Sequence, residues 1–168
     1  AMNDNQRQQA TARGYDPARL DSGRAHLHQR FQNFTPAEVD YYGDHGVLSE
    51  MNLFDINEDT LYWLRWRRED GIREGQAFRT ALDEMPRKIL LGNGPRSAIF
   101  SGMTALDYHA WDQIVDLLLV KHYFWHRGFD GLYGTVARWV QQIQAWNPSL
   151  NETQCWKVVR PCPGINLP

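Results

Sequence analysis

The chain has 168 residues, 42% of them apolar and 12% aromatic, enough to fill the core of one domain. Its 18 basic and 20 acidic side chains leave a net charge of −2 and a pI near 6.3, so no overall positive field favours general nucleic-acid or anionic-membrane binding. No apolar run approaches the roughly 18 residues of a membrane span, the longest candidate being "LLLV" between Asp116 and Lys121.

The first 14 residues are polar and read as a frayed segment ending at Gly14. In "YDPARLDSGRAHLHQRF", Asp16 suits an N-cap and Pro17 the first helical position, which predicts a helix toward Gln32 despite Gly23. "TPAE" at 35–38 has capping-box spacing, Thr35 with Glu38, and opens a short helix that stops at Gly43. Asp55 and Glu58 repeat that spacing before a helix over 56–70 closed by Gly71, and a further helix follows over 72–85, ending before Pro86.

Two short apolar runs flank Gly92-Asn93-Gly94-Pro95 and suggest a hairpin or an irregular β-like excursion. Thr104 with Asp107 then opens the longest periodic stretch, predicted helical as far as Gly128. A last helix covers 135–146, with Val136, Trp139, Val140 and Ile143 on its apolar stripe and Pro148 as its stop. The remainder, 147–168, reads as an extended tail. These elements predict a mainly α protein: a single-domain irregular helical bundle over 15–146, with at most one small β-hairpin.

Cys155 and Cys162 lie in the Pro-rich tail, where a disulfide would pin a segment that cannot continue a helix. Two free thiols are the alternative. Such a bridge needs an oxidising compartment, and two N-glycosylation patterns, "NFT" at 33–35 and "NET" at 151–153, point the same way, to a secreted or periplasmic home.

On a continuous helix over 104–127, His109, Asp112, Gln113, Asp116, Tyr123 and Arg127 share one face, the solvent or binding face. His122 falls on the opposite, apolar stripe, with His126 one turn on. Imidazoles at i and i+4 can share a transition metal, the cofactor this pattern would imply, with further ligands drawn from His26, His28, His45 or an acid. The plainer reading has no cofactor: a buried, hydrogen-bonded His122 and an exposed His126 favoured by a helix C-terminus. "FWHRGF" resembles the Trp-His-Arg run of type-3 copper proteins such as tyrosinases, over those residues alone. Leu117 stands where that family has a histidine and none follows His126, which excludes the assignment.

"YWLRWRR" at 62–68 places Trp63 and Trp66 toward a core and leaves Arg65 and Arg68 outside, as binding candidates or as partners for nearby acids. Glu50, Asp55 and Asp59, close to tryptophans, are the carboxylates a glycosidase would need, although Asp55 with Glu58 also suits helix capping and Asp59 the first turn, where negative charge is stabilising. "DINED" imitates the first half of a calcium loop but has Thr60 and Trp66 where the glycine and the closing glutamate belong. No phosphate-binding glycine loop, G-x-S-x-G elbow or Cys-x-x-Cys pair occurs. With no catalytic set, but with seven tryptophans, seven tyrosines and many arginines, the chain reads first as an effector-like interaction domain that binds a protein or glycan partner. A metal-dependent enzyme and a carbohydrate-active hydrolase are the alternatives.

Overall fold

The computed structural model describes residues 2–94, 98–104, 106–119 and 131–163. The protein is mainly helical: α1 (Asp4–Ala12), α2 (Pro17–Phe31), α3 (Pro36–Tyr42), α4 (Val47–Leu53), α5 (Glu58–Asp83), α6 (Ser101–Thr104) after a 3-10 turn, α7 (Tyr108–Asp112), α8 (Leu132–Trp146) and α9 (Glu152–Val159). The chain divides into two compact units, one made of residues 1–66 with 136–168, the other of residues 67–135.

In the first unit the predicted caps form. Asp16 accepts from the Ala18 N–H with Pro17 behind it, and Thr35 and Glu38 complete their reciprocal box. The segment read as frayed is instead the helix α1. Asn3 and Gln6 box its start, and Arg7 and the Met2 N–H both bond the Asp21 carboxylate of α2. A polar helix with fully buried Ala10 as its foot is thereby tied down.

α4 had no strong start signal, since its N-cap is Gly46 at φ 84 with no capping side chain. The turn out of α4 puts Asp55 at φ 49, so it cannot take the extended N-cap conformation. Asn57 caps α5 in its place, accepting the Thr60 N–H at 2.8 Å.

The expected extended tail is a helix over residues 152–159. Asn151 and Gln154 box its start, and it buries Cys155, Val158 and Val159. Two tethers hold it to α3. Lys157 spans Asp40 at 3.3 Å and Asp44 at 2.7 Å, and Arg160 donates to Asp44 and to the Gly43 carbonyl. Lys157, then Arg160, hold the Asp44 carboxyl below its usual range.

The helix also explains why the predicted disulfide is absent. Cys155 and Cys162 are both free. From Cys155 to the end of α9 at Val159 the helix rises about 6 Å, and Cys162 lies three residues beyond in the following turn, its N–H on the Val159 carbonyl. The Cys162 Sγ donates instead to the Val158 carbonyl at 3.7 Å, and burial pushes its thiol up to about 12.

The core of this unit collects fully buried Leu20, Val39, Leu53, Thr60, Cys155, Val158 and Val159. Beside them lies a triangle of Phe31, Phe34 and Phe54 with centroids 5.5 to 6.3 Å apart. Asn147, 4% exposed, locks the end of α8 to the α2–α3 link: its Oδ1 accepts the Phe34 N–H at 2.7 Å and its Nδ2 donates to the carbonyls of Phe31 and Ile143.

In the second unit two helical expectations fail. Gly71 does not end a helix, because α5 runs unbroken to Asp83. A mid-helix glycine costs only about 1 kcal/mol, far less than a proline. The long helix predicted over 104–127 is broken within its described part: α7 stops at Asp112, and residues 113–116 turn so that Leu117 pairs in parallel with Gly92. The hairpin expected around Gly92-Asn93-Gly94-Pro95 is therefore replaced by a parallel pairing whose crossover contains α6 and α7. A parallel pair requires such a crossover, whereas a hairpin does not.

Candidate partner-binding surface

Among the described residues of the second unit many large apolar side chains face water, as Val47 and Leu48 do on α4 of the first. Among the described residues of the second unit Ile114 is the one large apolar side chain that is buried. Phe78 is 64% exposed, Leu90 57%, Leu117 51%, and Met85 and Leu119 each 50%. Scattered exposed leucines need no explanation, but Leu90, Leu117 and Leu119 lie on two paired segments, with Phe78 on α5 and Met85 just beyond its end.

The pairing is specific. The Leu117 N–H donates to the Leu91 carbonyl at 3.2 Å, and the Asn93 N–H donates to the Leu117 carbonyl at 3.2 Å, the slanted pattern of a parallel ladder. Asp116 secures it, since one of its oxygens takes both the Leu91 N–H at 2.9 Å and the Arg79 guanidinium at 2.8 Å. Those two donors, the backbone N–H first, hold the Asp116 carboxyl below its usual range. Asn93, 4% exposed, closes the far end by accepting the Leu119 N–H at 2.6 Å, while its buried Nδ2 meets no acceptor among the described residues.

Beside the pair opens a cleft of about 570 Å³, lined by Arg79, Leu82, Met85, Lys88, Ile114 and Asp116 among others. Arg79 crosses it, bonded to Asp83 at 2.6 Å as well as to Asp116, and its guanidinium is held in the charged form. On α5 the buried Gly75 faces Trp111, whose ring would stand 3.0 Å from an added Cβ, so the indole lies against helix backbone.

The residues singled out from sequence are dispersed. Arg65 and Arg68 are both exposed on α5, and Arg68 pairs with Asp107 at 2.7 Å, where Asp107 also caps α7. His109 and Asp112 are exposed on α7, whereas Asp116 lies beyond that helix, so the three do not form one helical face. Tyr123, Arg127, His122 and His126 lie outside the described residues. Among the described residues no three His, Cys, Asp or Glu side chains converge on a metal position.

Glu50 lies in the first turn of α4. Asp55 meets His26 Nε2 at 3.1 Å, and Asp59 meets Arg19 at 2.7 Å. Arg19 and then Ser22 hold the Asp59 carboxyl low, the opposite of what a general acid needs. None of the three lines the cleft.

Leu90, Leu117, Leu119, Asn93 and Arg79 were not picked from sequence. A signal existed in "KILLG" and "DLLLV", two short apolar runs separated by a helical stretch, which is the βαβ pattern. The second run was absorbed into a helix because its leucines also satisfy helical periodicity.

Compared with protein-family models, with curated proteins and with solved structures, the chain matches none. Among the described residues no helix is long and apolar enough to cross a membrane.

Proposed function

We propose that the chain is an interaction domain and that residues 67–135 carry its binding surface for a protein partner. The observation behind this is the exposure of Phe78, Met85, Leu90, Leu117 and Leu119 in that unit, where among the described residues Ile114 is the one large apolar side chain that is buried. Covering such side chains returns roughly 25 cal/mol for each Å² of apolar surface, the usual driving force of association. A protein suits the surface better than a glycan. Sugars dock on open aromatic faces, whereas the exposed residues here are mainly aliphatic, and Trp111 lies against Gly75.

A secreted or periplasmic home belongs to the same proposal. It is supported by the exposed asparagines Asn33 and Asn151 in their acceptor patterns, and no longer by a disulfide.

The test is site-specific photo-crosslinking in extracts of the source organism, with benzoylphenylalanine at Phe78 and, for comparison, at Val47, which is 68% exposed on α4 of the other unit. The expected result is one partner captured from position 78 and not from 47. Titrating that partner, once purified, against a Phe78→Ser, Met85→Ser double variant should then show a loss of roughly tenfold or more, about the value of one good apolar contact. Equal capture from both positions, or unchanged affinity of the double variant, would sink the proposal.

A further inference from the structure

Resting on that reading, we infer that the free edge of the 88–93 segment is a strand-addition site for an extended apolar segment of a partner polypeptide carrying a carboxylate toward Arg87 and Lys88. Residues 88–93 and 115–119 meet at one parallel bridge, Gly92 with Leu117, which uses one side of the 91–93 backbone. The Leu91 carbonyl and the N–H groups of Leu91 and Asn93 all face the 115–119 segment. Because backbone groups alternate along a strand, those of Leu90 and Gly92 point the other way. Among the described residues nothing bonds them. Leu90 and Gly92 are exposed, and from Ile89 to Asn93 the edge carries no charge or proline, Pro86, Arg87 and Lys88 standing at its entry.

The backbone therefore says what kind of object fits. An apolar small molecule or a helix would leave these donors and acceptors unpaired, and only an extended chain satisfies them along its length. Leu90 is more than half exposed, so an added strand that sets an apolar side chain beside it would cover surface now in water.

Charge selects further. Arg87 and Lys88 enter the segment and make no ion pair among the described residues, although the Lys88 field reaches Asp116. Arg79, Arg87 and Lys88 against Asp83 and Asp116 leave this rim positive, which complements an acidic residue flanking the incoming strand.

The structure supplies a clean perturbation. The N–H of Gly92 is unbonded, Gly92 is not among the glycines at positive φ, and an added Cβ would meet Leu117 at an ordinary 3.6 to 3.7 Å. Gly92→Pro thus removes an edge donor that folding does not use and places a ring on the edge, while Gly92→Ala keeps the donor.

The probe is a fluorescein-labelled eight-residue peptide of alternating valine and threonine with a glutamate at its free end, titrated with the full chain by anisotropy. A second peptide carries N-methyl groups on alternate backbone amides, with unchanged side chains. Expected are saturable binding of the first peptide, binding weaker by roughly tenfold or more for the second, the same loss in Gly92→Pro, and wild-type binding in Gly92→Ala.

Equal binding of the N-methylated peptide, equal binding by Gly92→Pro, or no binding of either peptide overturns strand addition. So does a concentration-dependent dimer in sedimentation that Gly92→Pro abolishes, because the occupant is then a second copy of the chain. In the first three cases the broader interaction reading survives if position 78 still captures its partner, and it falls separately if that capture fails.

Discussion

Gly23 marks the closest approach of α2 to α5, and replacing it with alanine tests the packing of the first unit. A Cβ at that position would stand 2.0 Å from the Asp59 carbonyl oxygen and 2.7 Å from the Thr60 nitrogen, where real Cβ contacts essentially never fall below 3.0 Å. These are backbone atoms of a helix, so one helix must retreat by about 1 Å, and overpacking of that kind costs ~1–3 kcal/mol. The fully buried Thr60 hydroxyl now donates to the Gly23 carbonyl at 3.3 Å. After the retreat it lies beyond hydrogen-bond range, leaving an unpaired buried hydroxyl worth a further ~1–3 kcal/mol. Alanine returns ~1 kcal/mol through its helix propensity. The net expectation is a loss of about 3 kcal/mol, which for a chain of this length lowers the thermal midpoint by roughly 6–12 °C. Far-UV circular dichroism melts of Gly23→Ala beside Gly102→Ala, where an added Cβ meets nothing within 4 Å, read this directly. A Gly23→Ala midpoint within about 2 °C of wild type would refute the claim that this contact sets the α2–α5 spacing.

Asn147→Ala leaves the buried Phe34 N–H and Phe31 carbonyl without their partner and is expected to cost about 2–4 kcal/mol in urea unfolding; a cost under about 0.5 kcal/mol would mean that this link does not hold α8. The Asp44 carboxyl lies below its unfolded value, so the stability it contributes is present above the ordinary aspartate range near pH 4 and fades as pH falls through the depressed folded value. The urea midpoint of wild type should accordingly drop more steeply between about pH 5 and pH 2 than that of Asp44→Asn, and parallel slopes would show the α3–α9 tethers to be inert. Cys155 is fully buried and the Cys162 thiol is raised to about 12, so both should react with a disulfide reagent at pH 8 only after unfolding, and intact mass should show no loss of two hydrogens. Rapid labelling of the native protein, or that mass loss, would contradict two free thiols, Cys155 buried and Cys162 half-buried.

The starts of α2 and α3 and the end of α8 were determined by the sequence alone, because each depends on chemistry within a few residues: Asp16 with Pro17, Thr35 with Glu38, and Pro148 after Trp146. Mainly helical character followed from the same local signals. Features set by partners distant in the chain were not legible. α1 is tied down by Asp21, which receives Arg7 and the Met2 N–H, and α9 packs against α3 through Asp40 and Asp44, contacts that the local Asn3–Gln6 and Asn151–Gln154 boxes did not announce. The cysteine spacing suited a bridge only while the tail was taken as extended; a helix carries the two thiols apart.

The candidate surface was the least legible feature, for a related reason. Leucine runs in "KILLG" and "DLLLV" satisfy strand and helix patterns alike, and the choice between them rests on one backbone pairing, Gly92 with Leu117, and on the carboxylate of Asp116 that secures it. Sequence fixes which side chains are apolar. Whether they are buried, as Ile114 is, or left facing water, as Leu90 and Leu117 are, depends on which backbone groups find a partner in three dimensions.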